Sequence, residues 1–193
     1  MPMKKHLFNA MRDKRGFSLG EMLATVMILV LAAGMLAAGV PLAANAYRSV
    51  VETANAQVLL STTMTALRTE LGSAQTIEPQ AEGELGKITY YSIDTMTTQI
   101  ANYKESGDVG EAGIWFTPYI TVNSNQPDYS HRRLLISAAA ADGLYATYDS
   151  ITYNEATKLF TIENLRVMKP GSEEPLAKTG TFTVRAVNAA ESE

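Results

Sequence analysis

The sequence contains no cysteine. Disulfides and thiolate metal sites are therefore excluded, and the folded part of the chain must rely on its core. Histidine is nearly as scarce, with only His6 and His131, which leaves little room for imidazole chemistry. Charge is missing altogether from Met22 to Ala44. An apolar run of that length is longer than the 7–15 residues of a secretory signal, and buried core helices rarely need so many consecutive apolar residues.

The charges that are present fall unevenly. The net charge of the 193 residues is -4. Residues 1–16 carry Lys4, Lys5, Arg12, Lys14 and Arg15 against Asp13, so the rest of the chain is strongly acidic. A basic segment ahead of an apolar span stays in the cytoplasm and sends the remainder outward. An acidic remainder argues against nucleic acid as the main partner.

The stretch that organises the chain is Lys14-Arg-Gly-Phe-Ser-Leu-Gly-Glu21 with the apolar run behind it. As a helix, Phe17 to Val40 would run about 36 Å, enough to cross a hydrocarbon core of about 30 Å. Glu21 stands just inside the front edge of that run. A carboxylate near hydrocarbon is costly and calls for a partner.

This stretch resembles the amino terminus of type IV prepilins and pseudopilins. That family carries a basic leader ending in Gly, then Phe, a small hydroxyl residue, apolar residues and a Glu five places after the Gly. Here those positions are Gly16, Phe17, Ser18, Leu19 and Glu21. One position departs: Gly20 stands where the family usually has a bulky aliphatic residue.

The resemblance covers roughly the first 45 residues. It implies a leader, residues 1–16, removed by a prepilin peptidase between Gly16 and Phe17, with N-methylation of Phe17. It also implies a membrane span that includes Leu19 and Val40, within an apolar segment of residues 17–46, and an assembly role for Glu21. An extracytoplasmic globular domain would occupy residues 47–193. The implied partners are the peptidase, other pilin or pseudopilin subunits, an inner-membrane assembly platform, and lipid before assembly. No cofactor, metal or enzymatic activity is implied. The protein would sit in the bacterial cytoplasmic membrane and then in an extracytoplasmic or cell-surface filament.

Three other readings of the same stretch stand beside this one. Ala44-Asn45-Ala46 is an acceptable small-x-small site for an ordinary secretory signal. A plain single-pass anchor explains the length but not Gly-Phe-Ser ahead of a lone Glu. A buried core helix is the third. The rival function is therefore a secreted or membrane-anchored extracellular binding module.

Beyond Ala44 the pattern becomes amphipathic. Tyr47, Val50, Ala54, Val58, Ser61, Met64, Leu67, Leu71 and Ala74 recur at steps of three or four, which predicts one long helix from Phe17 to about Leu71 with that face buried. Gly72 supplies a stop, and Gly34, Gly39 and Pro41 would weaken or kink the helix. Gly72 to Gly86 reads as a loop.

Strands are then expected at Lys87–Ile93, at Ile114–Val122 and at Thr181–Val187. Pro118 makes the second an edge strand or two short pieces. Two hairpins are expected: Arg132–Ala138 with Leu144–Tyr148 about Asp142-Gly143, and Ile151–Tyr153 with Leu159–Ile162 about Asn154–Lys158. Met168–Gly180 reads as an exposed loop and Ala189–Glu193 as a frayed tail. Together these predict an α+β fold, a pilin-like long helix packed on an antiparallel sheet. Leu67-Arg-Thr-Glu-Leu71 and the hairpin-rich remainder are similar, diffusely, to minor pilins and minor pseudopilins.

No catalytic constellation emerges. His131 stands beside Arg132 and Arg133 without a nucleophile, so a solvated turn is expected. Gly171 to Thr179 ends in Lys-Thr but lacks the Gly and the spacing of a phosphate loop. Some pseudopilins bind calcium, and Asp108, Glu111, Asp142 and Asp149 are acids that could contribute. No run has the regular oxygen spacing of a dedicated loop. Tyr129 with His131, Arg132 and Arg133 forms one basic-aromatic cluster, more simply surface than DNA contact.

Overall fold

The computed structural model describes residues 18–80, 83–103, 112–120, 126–137 and 139–189. The chain divides into two compact units, Met1–Ser49 and Val50–Glu193. One helix, α1, spans Leu19–Gly72. It continues through Gly34, Gly39 and Pro41 without interruption, although Pro41 gives no hydrogen bond to the carbonyl of Ala37. In the first unit, α1 residues Leu19 to Ser49 are exposed.

In the second unit, α1 from Val50 onward packs against antiparallel sheets, an α+β arrangement. The strands are β1 (Thr76–Ile77), β2 (Lys87–Ser92), β3 (Met96–Tyr103), β4 (Gly113–Ile120), β5 (Gln126–Pro127) and β6 (Arg133–Leu134). They continue with β7 (Tyr145–Thr147), β8 (Ser150–Asn154), β9 (Leu159–Glu163), β10 (Arg166–Met168), β11 (Ala177–Lys178) and β12 (Phe182–Arg185). The largest sheet runs β1-β2-β3-β4-β5, with β6 also on β4. Two three-stranded sheets run β11-β10-β7 and β12-β9-β8.

The buried face of α1 is not the predicted one in its upper half. Ala56, Leu59, Thr63, Leu67 and Leu71 are buried, whereas Val50 and Val58 are 67% and 64% exposed. Both sets keep helical spacing. Apolar residues at consecutive positions, such as Val58-Leu59-Leu60, let more than one face satisfy the pattern. Thr63 is tolerated on the buried face because its hydroxyl donates to the Leu59 carbonyl. Leu67 and Leu71 meet Ile88, Ile100 and Phe116 of the large sheet and Ile151, Phe160 and Phe182 of the β12-β9-β8 sheet. Ala56 and Leu59 meet Ala141, Leu144 and Val167.

Other expectations hold in part. The β8–β9 hairpin forms with Asn154 opposite Leu159, and the Asn154 side chain accepts from the Thr157 amide within the turn. β12 alternates as expected, with Phe182 and Val184 buried. Asp142 and Gly143 both adopt positive φ, as a tight turn requires. The expected hairpin around them does not form, because β6 pairs with β4 and β7 with β10.

β4 is a single eight-residue strand in the sheet interior, not an edge. Its far side is shared by two short strands, β6 beside Trp115–Phe116 and β5 beside Tyr119–Ile120. The Pro118 carbonyl accepts from the Asp128 amide on that side, and a strand residue presents N and C=O to the same side. The missing donor of Pro118 thus falls at the gap between β6 and β5. Val122 and Ala138, at the ends of two predicted strands, lie outside the described residues.

The presumed loops also carry pairing: β1 lies within Gly72–Gly86 and β11 within Met168–Gly180. β3 escapes sequence patterning because polar Thr98 and Asn102 flank Ile100 on its inner face. Asn102 donates to the Tyr148 carbonyl and accepts from Thr147, and Thr98 donates to the Thr95 carbonyl.

A half-buried polar network ties α1 to the sheet. Glu70 accepts from the Tyr90 hydroxyl at 3.4 Å and from Arg133 at 3.4 Å, and Ser73 meets Ser92 at 3.0 Å. Burial, and next the charge of Glu70, push the Tyr90 hydroxyl well above its usual value. Burial does the same to Tyr148, which donates to the Gly86 carbonyl at 3.0 Å.

A fragment beginning at Tyr47 is expected to melt cooperatively with mixed helix and strand content. Within it, Leu67→Ala should cost about 2–5 kcal/mol and Val58→Ala less than about 0.5 kcal/mol. Denaturant titration followed by circular dichroism checks both, and equal losses would return Val58 to the buried face. The raised tyrosines give a pH signature. Their stabilising effect is complete below the unfolded tyrosine value of 10.0. Above it the unfolded chain loses those protons first, so stability should fall as pH rises from 10 toward the folded values. A flat profile across that range would contradict it.

Candidate functional site

Among the described residues, the start of α1 is the place where charge, an apolar surface and a specific motif coincide. The Ser18 amide donates to Glu21 Oε2 at 3.0 Å, and the Glu21 amide donates to Ser18 Oγ at 3.2 Å. The Met22 amide donates to the Ser18 carbonyl at 3.1 Å, the first bond of the helix. Ser18 is therefore the N-cap and Glu21 the third helical residue of a reciprocal capping box.

Two amides that the helix itself leaves without acceptors are satisfied by this exchange. The negative charge also sits at the positive end of the helix dipole. Glu21 Oε1 has no partner among the described residues. An ionised carboxylate still has acceptor capacity there for a cation.

The acid at the edge of the apolar run thus finds a partner within its own chain, which the sequence reading missed. Its signal was present, since Ser-x-x-Glu ahead of an apolar run is the capping-box pattern. Gly16 and Phe17, the expected processing positions, lie outside the described residues. Gly20 is free of steric demand, because an added Cβ would meet only Ser18 Oγ, at 3.8 Å. A glycine in the first turn weakens the helix and makes the cap more necessary.

Behind the cap, Leu19 to Val40 presents apolar side chains all round. Leu19 is 85% and Val40 64% exposed. By length and composition α1 is able to cross a membrane, which is compatible with membrane anchoring.

The other candidates do not assemble into chemistry. His131 Nδ1 contacts both Asp128 Oδ2, at 2.5 Å, and Ser130 Oγ, at 3.0 Å. A nucleophile–base–acid relay needs the two ring nitrogens to serve different partners, so this is an exposed turn. Hydrogen bonds from Ser130, and next from His131, hold the Asp128 carboxyl down at about 2.

Arg132 stacks on Trp115 and Arg133 on Phe116, each at 5.0 Å. Arg133 also pairs with Glu70. Both arginines of the basic-aromatic cluster are thus held against β4, while Tyr129 stays exposed.

Asp142 accepts from Asn55 at 3.3 Å, and Asp149 pairs with Arg166 at 2.9 Å. Asp108 and Glu111 lie outside the described residues. Among the described residues no three acidic or histidine side chains come together as a metal site. Of the presumed loop from Gly171 to Thr179, Ala177–Lys178 is strand β11.

Compared with known protein families, with curated proteins and with solved structures, the chain matches none.

The cap yields a direct test in micelles. Ser18→Ala should lower the protection of the first-turn amides by about 0.5–2 kcal/mol, whereas Ser18→Thr should keep most of it. Glu21→Gln should also keep it, since Gln serves at the third helical position. Hydrogen exchange measures all three, and unchanged protection in Ser18→Ala would remove the cap's role.

Proposed function

We propose that this chain is a structural subunit of a type IV pilus or of a type II secretion-like pseudopilus. The observation that carries the reading is an exposed, uncharged helical surface from Met22 to Val40. Its lone acid stands at the capped first turn, behind a basic segment ending in Gly16-Phe17.

In this reading the basic residues keep the leader inside. A prepilin peptidase cuts between Gly16 and Phe17 and methylates the new amine. Moving the helix from lipid into a bundle of like helices gains little apolar energy, so packing and polar pairing must supply specificity.

Glu21 suits that task. The cap fixes the carboxylate at the helix start while Oε1 stays available to the Phe17 amine of a neighbouring subunit. Opposite charges about 4 Å apart attract by about 4 kcal/mol at an effective dielectric of 20. Desolvation offsets much of that, so the pair mainly sets the axial step between subunits.

Glu21→Gln separates charge from capping, because it keeps the shape and the cap. The variant is expected to insert and to be cut after Gly16, yet fail to enter filaments. Assembly equal to the wild type in the same cells would overturn the pairing. The intact mass of the mature chain tests the wider reading. Loss of residues 1–16 plus one methyl group is expected. A chain beginning at Tyr47 would instead mark a secreted module, and an uncut chain a plain anchor.

A further inference from the structure

Two sheet edges open onto one cleft in the globular unit. β1 is an outer strand of the large sheet, and β8 is an outer strand of the β12-β9-β8 sheet. Near β8 the two sheets are stitched together. The Gln80 side chain donates to the Lys87 carbonyl and, at 2.7 Å, to the Ile151 carbonyl. The Ile151 amide donates to the Leu85 carbonyl at 2.8 Å. Beside this seam lies a cleft of about 330 Å³. Ile77 and Glu78 line it from β1 and its end, Tyr153 and Glu155 from β8 and its end, together with Ile88 and Ala189.

The register leaves backbone groups open on both edges. Along an antiparallel strand, residues bonded to the neighbour alternate with residues that point away from it. The Glu78 amide donates to the Thr89 carbonyl, so Ile77, opposite Tyr90, turns its N–H and C=O away from β2. On β8, Ile151 bonds away from β9, to Leu85 and Gln80, and Tyr153, two residues on, turns the same way. Among the described residues, neither Ile77 nor Tyr153 has a backbone partner on that side. Glu78 and Glu155 are exposed beside them, and neither forms an ion pair among the described residues. Lys158 is held by the Ala189 carbonyl at 3.0 Å.

We propose that this cleft binds a short extended peptide of a partner protein, whose backbone pairs with the open groups of Ile77 and Tyr153 and whose basic side chains meet Glu78 and Glu155. Open strand edges are completed by another backbone, which gives affinity, while flanking side chains give specificity. The two carboxylates disfavour nucleic acid and other anions. Side chains of an extended segment alternate between two faces, so the peptide should alternate basic with apolar residues, the latter packing toward Ile88 and Ala189. β1 is two residues long and is soon followed by Pro79, which has no N–H to offer. The edge therefore suits a short segment and resists wider sheet-to-sheet pairing. This inference stands apart from the filament reading and gives the globular unit a ligand class of its own.

The test uses the full chain in uncharged detergent micelles and a phage-displayed library of random octapeptides, with empty micelles as the counter-selection. Enriched sequences are expected to alternate basic and apolar residues. Fluorescence anisotropy of the synthetic peptides then measures affinity. Glu78→Lys combined with Glu155→Lys should weaken binding about tenfold. Both positions are exposed, so circular dichroism of the variant should match the wild type. Methylating a central backbone nitrogen of the peptide removes one strand hydrogen bond and should weaken binding about fivefold.

A library that yields no binder overturns the proposal, as does enrichment of acidic sequences. Binding indifferent to the double charge reversal places the peptide elsewhere on the chain and also overturns it. Binding that survives methylation at every central nitrogen shows recognition without strand pairing and rejects the edge.

Discussion

The globular unit depends on burying one narrow stripe of α1. Ala56 and Leu59 engage Ala141, Leu144 and Val167, while Leu67 and Leu71 engage the large sheet and the β12-β9-β8 sheet. Each fully buried leucine contributes about 1.5–3 kcal/mol, whereas an exposed ion pair contributes about 0–1 kcal/mol. Packing along the stripe therefore outweighs surface pairs such as Lys169 with Glu52. With no disulfide to constrain the unfolded chain, no other single feature substitutes for it. The Glu70–Tyr90–Arg133 network adds direction more than strength, since a half-buried carboxylate gains from its partners roughly what it loses in desolvation.

The fold class was legible because the change from helical to strand periodicity is abrupt. The β8–β9 hairpin was legible because Asn154 and a short polar turn separate two apolar strands. The upper helix face was not. Ala56 and Thr63 are weak markers of burial, and Val50 and Val58 outshine them in the sequence while facing outward. Likewise β3 partly hides its inner face behind Thr98, bonded to the Thr95 carbonyl beside it, and Asn102, whose partners Thr147 and Tyr148 lie far along the chain. Pro118 argued against an interior strand, and only the split of the neighbouring pairing into β5 and β6 resolves the conflict. Asp142-Gly143 specifies a turn but not what the flanking segments pair with.

At the helix start the sequence held two messages at Glu21, and the family resemblance voiced only one. Through its spacing from Gly16 the resemblance implies an assembly role for Glu21, while spacing from Ser18 marks it as half of a cap. The second is local chemistry, fixed by four residues and independent of any partner. The first is a proposal about a neighbouring subunit, which no single chain displays.

On the proposed filament reading, the two roles fit together through the choice of side chain. A cap alone does not demand a carboxylate, because glutamine accepts the same amide at the same helical position. A charge alone does not demand that Ser18 stand three residues earlier. A formal charge at the edge of an apolar segment is costly, and the cap is satisfied without it. Within one chain the charge faces the positive end of the helix dipole, and on the proposed filament reading it also faces a cation of the neighbouring subunit. Holding Oε2 on the Ser18 amide then has a further consequence. The carboxylate approaches assembly with its rotamer already set, so less side-chain entropy is lost when Oε1 meets that cation.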